Sequence, residues 1–216
     1  MHNHPLGLAF FATVARRLAG GTALLVALVL ALPAAAQNAA AVDVAAAMAE
    51  RALGSADAPV TIVEYASMTC PHCANFHEQT FPALKERYID TGKVRLVFSN
   101  FVLNAIDLRA SMMARCVPAD RFFSLTGILF KTQGTWARAA DPIAELAKVG
   151  RLTGLDEASF NACMASEALA NGVIELRKAG TDAGVASTPT FVINGERVVG
   201  GHSIEELAKI IDLLVK

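Results

Sequence analysis

The sequence predicts an α/β fold in which one sheet is assembled from two separated stretches of chain, with an all-helical domain inserted between the second predicted strand and a C-terminal hairpin. Three observations carry this. Val60–Tyr65 and Val94–Val102 are short runs rich in β-branched and aromatic residues, the second alternating through Val94, Leu96 and Phe98. From Asn104 to about Gly184 the pattern is helical throughout, a segment of about 80 residues and far longer than a loop within a compact domain. Thr190–Ile193 and Arg197–Val199 then flank Asn194-Gly195, a strong signal for a two-residue hairpin turn.

The chain has 216 residues and a formal net charge of −1, which gives no electrostatic basis for binding nucleic acid. Residues 1–36 differ from the rest. They hold Arg16 and Arg17, no acidic residue, an apolar core from Ala23 to Leu32, then Pro33 and Ala34-Ala35-Ala36. This is the pattern of a secretory signal peptide cleaved after Ala36. A retained membrane anchor is the alternative, but the core is short against the roughly 20 apolar residues of a span. Export would leave a mildly acidic protein in an oxidising compartment, where four cysteines point to disulfides.

Residues 37–56 read as an Ala-rich linker with a helix from Asp43 to Leu53, closed by Gly54-Ser55. In residues 57–103 the first strand ends at Glu64 and Tyr65. A carboxylate there needs a partner or a task. Cys70-Pro71-His72-Cys73 follows where strand gives way to helix, and Phe76, Phe81, Leu84 and Tyr88 recur at near-helical spacing as far as Ile89. Pro82 predicts a break near Thr80, and Gly92 ends the segment. Within the insertion, residues 104–184, helices are predicted over Ile106–Cys116, stopped by Pro118, and over Arg121–Lys131. A third opens with Asp141 as N-cap and Pro142 at the first helical position, and a fourth covers Ala168–Lys178. Residues 185–216 hold the hairpin and a last helix, opened by the capping box Ser203/Glu206 and striped by Ile204, Leu207, Ile211 and Leu214.

Two cysteines two residues apart at a strand-to-helix junction form the pattern of a dithiol/disulfide redox centre. The free N–H groups and positive dipole end of the helix favour a thiolate on Cys70. With Ser187-Thr188-Pro189-Thr190-Phe191 behind the helical block, this order resembles the thioredoxin superfamily, specifically the DsbA-like periplasmic thiol:disulfide oxidoreductases, from about Asp57 to the C-terminus. The resemblance implies a thioredoxin fold with an inserted helical domain, a cis Pro189 beside the cysteines, and a periplasmic location. It implies no cofactor other than the Cys70–Cys73 disulfide and no metal. The expected partners are reduced, unfolded exported proteins and a DsbB-like membrane reoxidase, and the expected state is a monomer.

The same resemblance assigns roles. Cys70 is the attacking and attacked sulfur and Cys73 the shielded resolving thiol. Pro71 removes one N–H and stiffens the turn, while His72 places a donor or positive charge near Cys70, unless it is only an exposed helix-start residue. Glu64 is either a buried acid that accepts the proton of Cys73 or a strand-end carboxylate paired with Lys or Arg. Thr188 lies against the sulfurs, where its backbone pairs with an extended substrate or sets the hairpin. Met68 and Thr69 are expected at the surface, as a rim beside Cys70. Cys116 and Cys163 form a structural disulfide, as in some DsbA-like proteins. Buried free thiols or a second redox pair are the alternatives. His77 and His202 read as surface, Trp136 as surface or packing, and Phe122, Phe123 and Phe130 as core. The function expected is oxidation of cysteines in exported proteins. A disulfide isomerase or reductant using the same dithiol is the second reading, and a redox-inactive chaperone or binding module the third.

Overall fold

A computed structural model describes residues 41–215. The predicted leader lies outside the described residues. Helix α1 (Val44–Met48), capped by the Asp43 side chain, is followed by strand β1 (Arg51–Leu53) and strand β2 (Val60–Ala66). Helix α2 (Pro71–Gln79) gives way at Thr80 to α3 (Phe81–Leu84), which widens into a π turn over Lys85–Ile89. Thus the break predicted from Pro82 falls at Thr80, since proline cannot donate into the preceding turn. Strand β3 spans Val94–Asn100.

The insertion comprises α4 (Ala105–Cys116), a 3-10 turn at Ala119–Arg121, α5 (Phe122–Lys131), α6 (Gln133–Trp136), α7 (Pro142–Leu152), α8 (Glu157–Ala165) and α9 (Glu167–Asp182). Strands β4 (Thr190–Ile193) and β5 (Glu196–Val199) form the hairpin, and α10 (Ile204–Leu214) closes the chain behind the Ser203/Glu206 capping box. Asn194 and Gly195 both have positive φ, as a hairpin turn of this type requires.

The sheet order is β1-β3-β2-β4-β5, with β2 central and parallel only to β3. Along β2 burial alternates, so Val60, Ile62, Glu64 and Ala66 share the buried face. Phe76, Leu84, Leu207 and Ile211 pack with Val60 and Ile62 of that face, bringing α2, α3 and α10 over it. On the opposite face α9 comes close at Gly180, where an added methyl would lie 3.0 Å from the rings of Tyr65 and Phe101.

Two expectations need correction. The helix predicted from Asp43 to Leu53 stops at Met48, and Arg51–Leu53 instead pairs antiparallel with Phe98–Leu96 of β3. Three residues carry no readable alternation. The edge that β3 offers decides their conformation. The insertion consequently follows the third observed strand, not the second. Nor is it an appendage: Cys70 and Cys73 share one apolar core with Phe122, Leu125, Leu129, Phe130 and Trp136.

Candidate active site

The site forms at the carboxyl ends of β2 and β3, where two loops are tied together from below. Asp107, fully buried in the first turn of α4, accepts hydrogen bonds from the Met68 N–H through Oδ1 and from the Leu103 N–H through Oδ2, both at 2.8 Å. Burial pushes its carboxyl above the ordinary range, against the hydrogen bonds that favour the ionised form. From α6, the Gln133 amide donates to the carbonyls of Met68 at 2.9 Å and Cys70 at 3.0 Å. Neither clasp is visible as a motif, because each joins segments distant in the chain.

Cys70 occupies the N-cap position of α2 with extended backbone, and Pro71 stands at the first helical position, where a missing N–H costs nothing. The Thr188–Pro189 bond is cis, and the Cys70 thiol donates to the Thr188 carbonyl at 3.3 Å. The Cys70 thiol is lowered to about 5, chiefly by a hydrogen bond from the Cys73 thiol and further by the Thr188 side chain and the backbone N–H groups of Cys73 and His72. Burial opposes these effects. Cys73 is sealed, at 0% exposure, and its thiol is pushed up by that burial, by Cys70 and by the nearby Glu64 charge. The pair is therefore asymmetric, with one sulfur held as a thiolate and the other held protonated.

The structure relocates several residues. Cys70 retains only 6% exposure, less than an attacking sulfur was expected to have, because the cis-proline loop and the insertion close around it. Met68 is fully buried and forms no surface rim, since the insertion covers the loop after β2. Thr69 is half-buried, its hydroxyl accepting from the Asn104 amide at 3.0 Å. The exposed apolar side chain nearby in sequence is Leu103, next to Asn104. Pro71 and His72 are exposed and Thr188 is half-buried.

Glu64 is fully buried and pairs with neither Lys nor Arg among the described residues; its partner is His77, at 2.9 and 3.1 Å. His77, read from sequence as a surface residue, is 8% exposed. Its position could have been inferred: it lies four residues after Cys73, so a shielded Cys73 turns His77 inward on the same helical face. Trp136 is also interior, its indole N–H donating to the Leu129 carbonyl at 2.8 Å. His202 is half-buried, and its carbonyl accepts from the Thr80 hydroxyl. Cys116 and Cys163 are joined by a disulfide between the end of α4 and α8.

Residues 46–213 match the family model described as Thioredoxin. The chain belongs to the thioredoxin superfamily. Within that superfamily it is DsbA-like: alpha-DsbA1 of Wolbachia pipientis superposes with a TM-score of 0.73 at 28% identity, covering 77% of this chain and 91% of that one. A protein-disulfide isomerase from Novosphingobium aromaticivorans superposes with a TM-score of 0.66 at 27% identity, over 77% of this chain and 97% of that one. Among curated relatives, a Rickettsia typhi protein provisionally named a protein-disulfide oxidoreductase is 33% identical over 165 residues, 74% of this chain and 60% of the relative. The chain thus spans about three fifths of the length of the curated relatives it matches. Like the DsbA-like thioredoxin-superfamily structures, it carries a helical domain between the two parts of its sheet.

Proposed function

We propose that the chain is a thiol:disulfide oxidoreductase that donates the Cys70–Cys73 disulfide to reduced cysteines of exported proteins. The observation that carries this is the asymmetry of the two sulfurs. In the oxidised form a substrate thiolate attacks Cys70, the accessible sulfur of the pair, and the Cys70–Cys73 bond breaks. Its electron pair goes to Cys73, which takes up a proton. A second substrate thiolate then attacks the substrate sulfur of the mixed disulfide, and Cys70 leaves as a stabilised thiolate. Two substrate thiols become a disulfide and the enzyme disulfide becomes a dithiol. A good leaving group at Cys70 favours donation of the disulfide.

Thr188 and the cis Pro189 form the wall across from the dithiol, and the Thr188 backbone is suited to pair with an extended substrate segment. Glu64 is the proton acceptor and donor for Cys73. The redox equivalent resides in the two sulfurs, so no dissociable cofactor is needed. Reoxidation falls to a DsbB-like membrane partner, and the working location is the periplasm, in keeping with the leader read in residues 1–36. The working unit is a monomer.

Mixing the oxidised protein with a reduced, unfolded protein dithiol tests this reading. Disulfide appearing in the substrate is expected, and no transfer overturns it. Likeness to the Novosphingobium protein-disulfide isomerase keeps an isomerase or reductant as the second reading. The reduction potential of Cys70/Cys73 against glutathione separates them: a value near strong oxidants supports donation, and one near thioredoxin supports reduction.

A further inference from the structure

The sealed position of Cys73 raises a question of proton traffic. Each turnover must deliver a proton to this sulfur and remove it again, yet Cys73 and Glu64 both have 0% exposure. The Glu64 carboxyl group has both oxygens at hydrogen-bond distance from a single atom, Nε2 of His77, at 2.9 and 3.1 Å. One proton must lie between them, on the nitrogen or on the carboxyl, for either contact to be a hydrogen bond.

The imidazole is held from several sides. It stacks on Phe130 at 4.4 Å, lies tilted over Phe81 at 5.0 Å, and meets the edges of Phe76 and Phe98 at 5.5 and 6.1 Å. The contacts of the pair come from Glu64 of β2, Phe76 and His77 of α2, Phe98 of β3, Phe81 of α3 and Phe130 of α5, with no further titratable side chain among them, and Cys73 lies in one apolar core with Phe98 and Phe130. Nδ1 makes no hydrogen bond among the described residues. The His77 side chain remains 4% accessible. The imidazole is thus the member of the Glu64/His77 pair that keeps a trace of solvent contact.

We propose that His77 is the proton outlet of the resolving thiol: Glu64 and His77 hold between them the proton that Cys73 takes up on leaving the disulfide, and His77 replaces it from solvent through Nδ1. This rests on the exchange reading given above. When a thiolate attacks Cys70, the S–S electron pair passes to Cys73 and the proton moves from the Glu64/His77 pair to that sulfur. The pair then regains one proton from water. On reoxidation the same proton travels outward. His77 acts through Glu64 and hydrogen-bonds neither sulfur among the described residues, so it is a positioning and proton-transfer residue.

His77→Phe keeps the ring volume and the stack on Phe130 while removing both nitrogens. Opening of the Cys70–Cys73 disulfide by glutathione, followed by rapid mixing across pH in H2O and D2O, is the measurement. The variant is expected to open about 100-fold more slowly near neutral pH, the lower end of what a positioned acid or base contributes. Its pH profile and solvent isotope effect should also differ from those of the wild type. A folded variant with unchanged rate, pH profile and isotope effect overturns the proposal. If the variant does not fold, the infrared difference spectrum between reduced and oxidised wild-type protein decides. Carboxyl and imidazole bands that change with redox state, the carboxyl band disappearing in Glu64→Gln, support the outlet, and their absence overturns it. Glutathione opens the disulfide whatever the physiological substrate. Failure of the wild type to oxidise protein dithiols would thus sink the functional reading while leaving the His77 effect measurable.

Discussion

At the scale of single residues, the two thiols differ in environment although only two residues separate them. In the reduced protein, the ultraviolet absorbance of the thiolate should titrate for one sulfur with a midpoint at about pH 5, the other remaining protonated far above that. A single transition near the ordinary thiol value would contradict the assignment. Stability should follow. Ionisation of Cys70 is easier in the folded chain than in the unfolded one, so it contributes fully above the ordinary value of 9.0 and is lost as pH falls to about 5. The oxidised form has no such group. Denaturant unfolding of both forms should show the reduced form losing stability relative to the oxidised form between neutral pH and about 5. Replacing Cys73 with Ser should leave Cys70 in long-lived mixed disulfides with substrate, detectable on non-reducing gels.

At the scale of elements, the site depends on loops held by side chains from the insertion. Asp107→Ala would strand the buried N–H of Met68 and the partly buried N–H of Leu103, at about 1–3 kcal/mol for each donor left unpaired. Urea denaturation should show a loss of about 2–4 kcal/mol, and stability within half a kcal/mol of wild type would refute the clasp. The arginines beside the carboxyl end of β3 behave differently. Arg51 and Arg115 are each 3% exposed, and no carboxylate lies within salt-bridge distance of either among the described residues. Arg115 donates to the Ala47 and Ala49 carbonyls, while Arg51 donates to those of Ala46, Ala47 and Arg115. These carbonyls sit at the C-terminal ends of α1 and α4, where a cation complements the helix dipole. The two guanidinium groups hold α1 against the body and orient the short strand β1. A composition-based reading of residues 37–56 as a linker had no access to that. The same limit applies to His77: its helical neighbourhood with Cys73 was readable, but not the strand that brings Glu64 beneath it.

At the scale of the whole molecule, one apolar cluster joins the sheet to the insertion, a second packs α2, α3 and α10 on the sheet, and a third packs α1 with α4, α8 and α9, where the Cys116–Cys163 disulfide fastens it. The two cysteines are 47 positions apart, and closing a loop of that size is worth about 4 kcal/mol in the chain-entropy model. Cys116→Ala/Cys163→Ala should lower unfolding stability by about 2–4 kcal/mol while leaving the Cys70–Cys73 thiols able to exchange. Equal stability with and without the disulfide would refute this.

The sequence by itself determined what depends on neighbours a few positions away: the β-branched run of β2, the alternation of β3, the break at Thr80, the Asn194-Gly195 turn, the capping box of α10, and the spacing that makes Cys70 and Cys73 a dithiol. It also identified both halves of the redox wall through a family resemblance. Only the tertiary structure decided that Met68 is interior, that Arg51–Leu53 is a strand, that Asp107 and Gln133 tie the loops, and that Glu64 faces His77. The physical reason is common to all four. Backbone preference and helix capping are set within a turn or two of chain, whereas burial and polar partnership depend on which distant surface arrives to cover a residue.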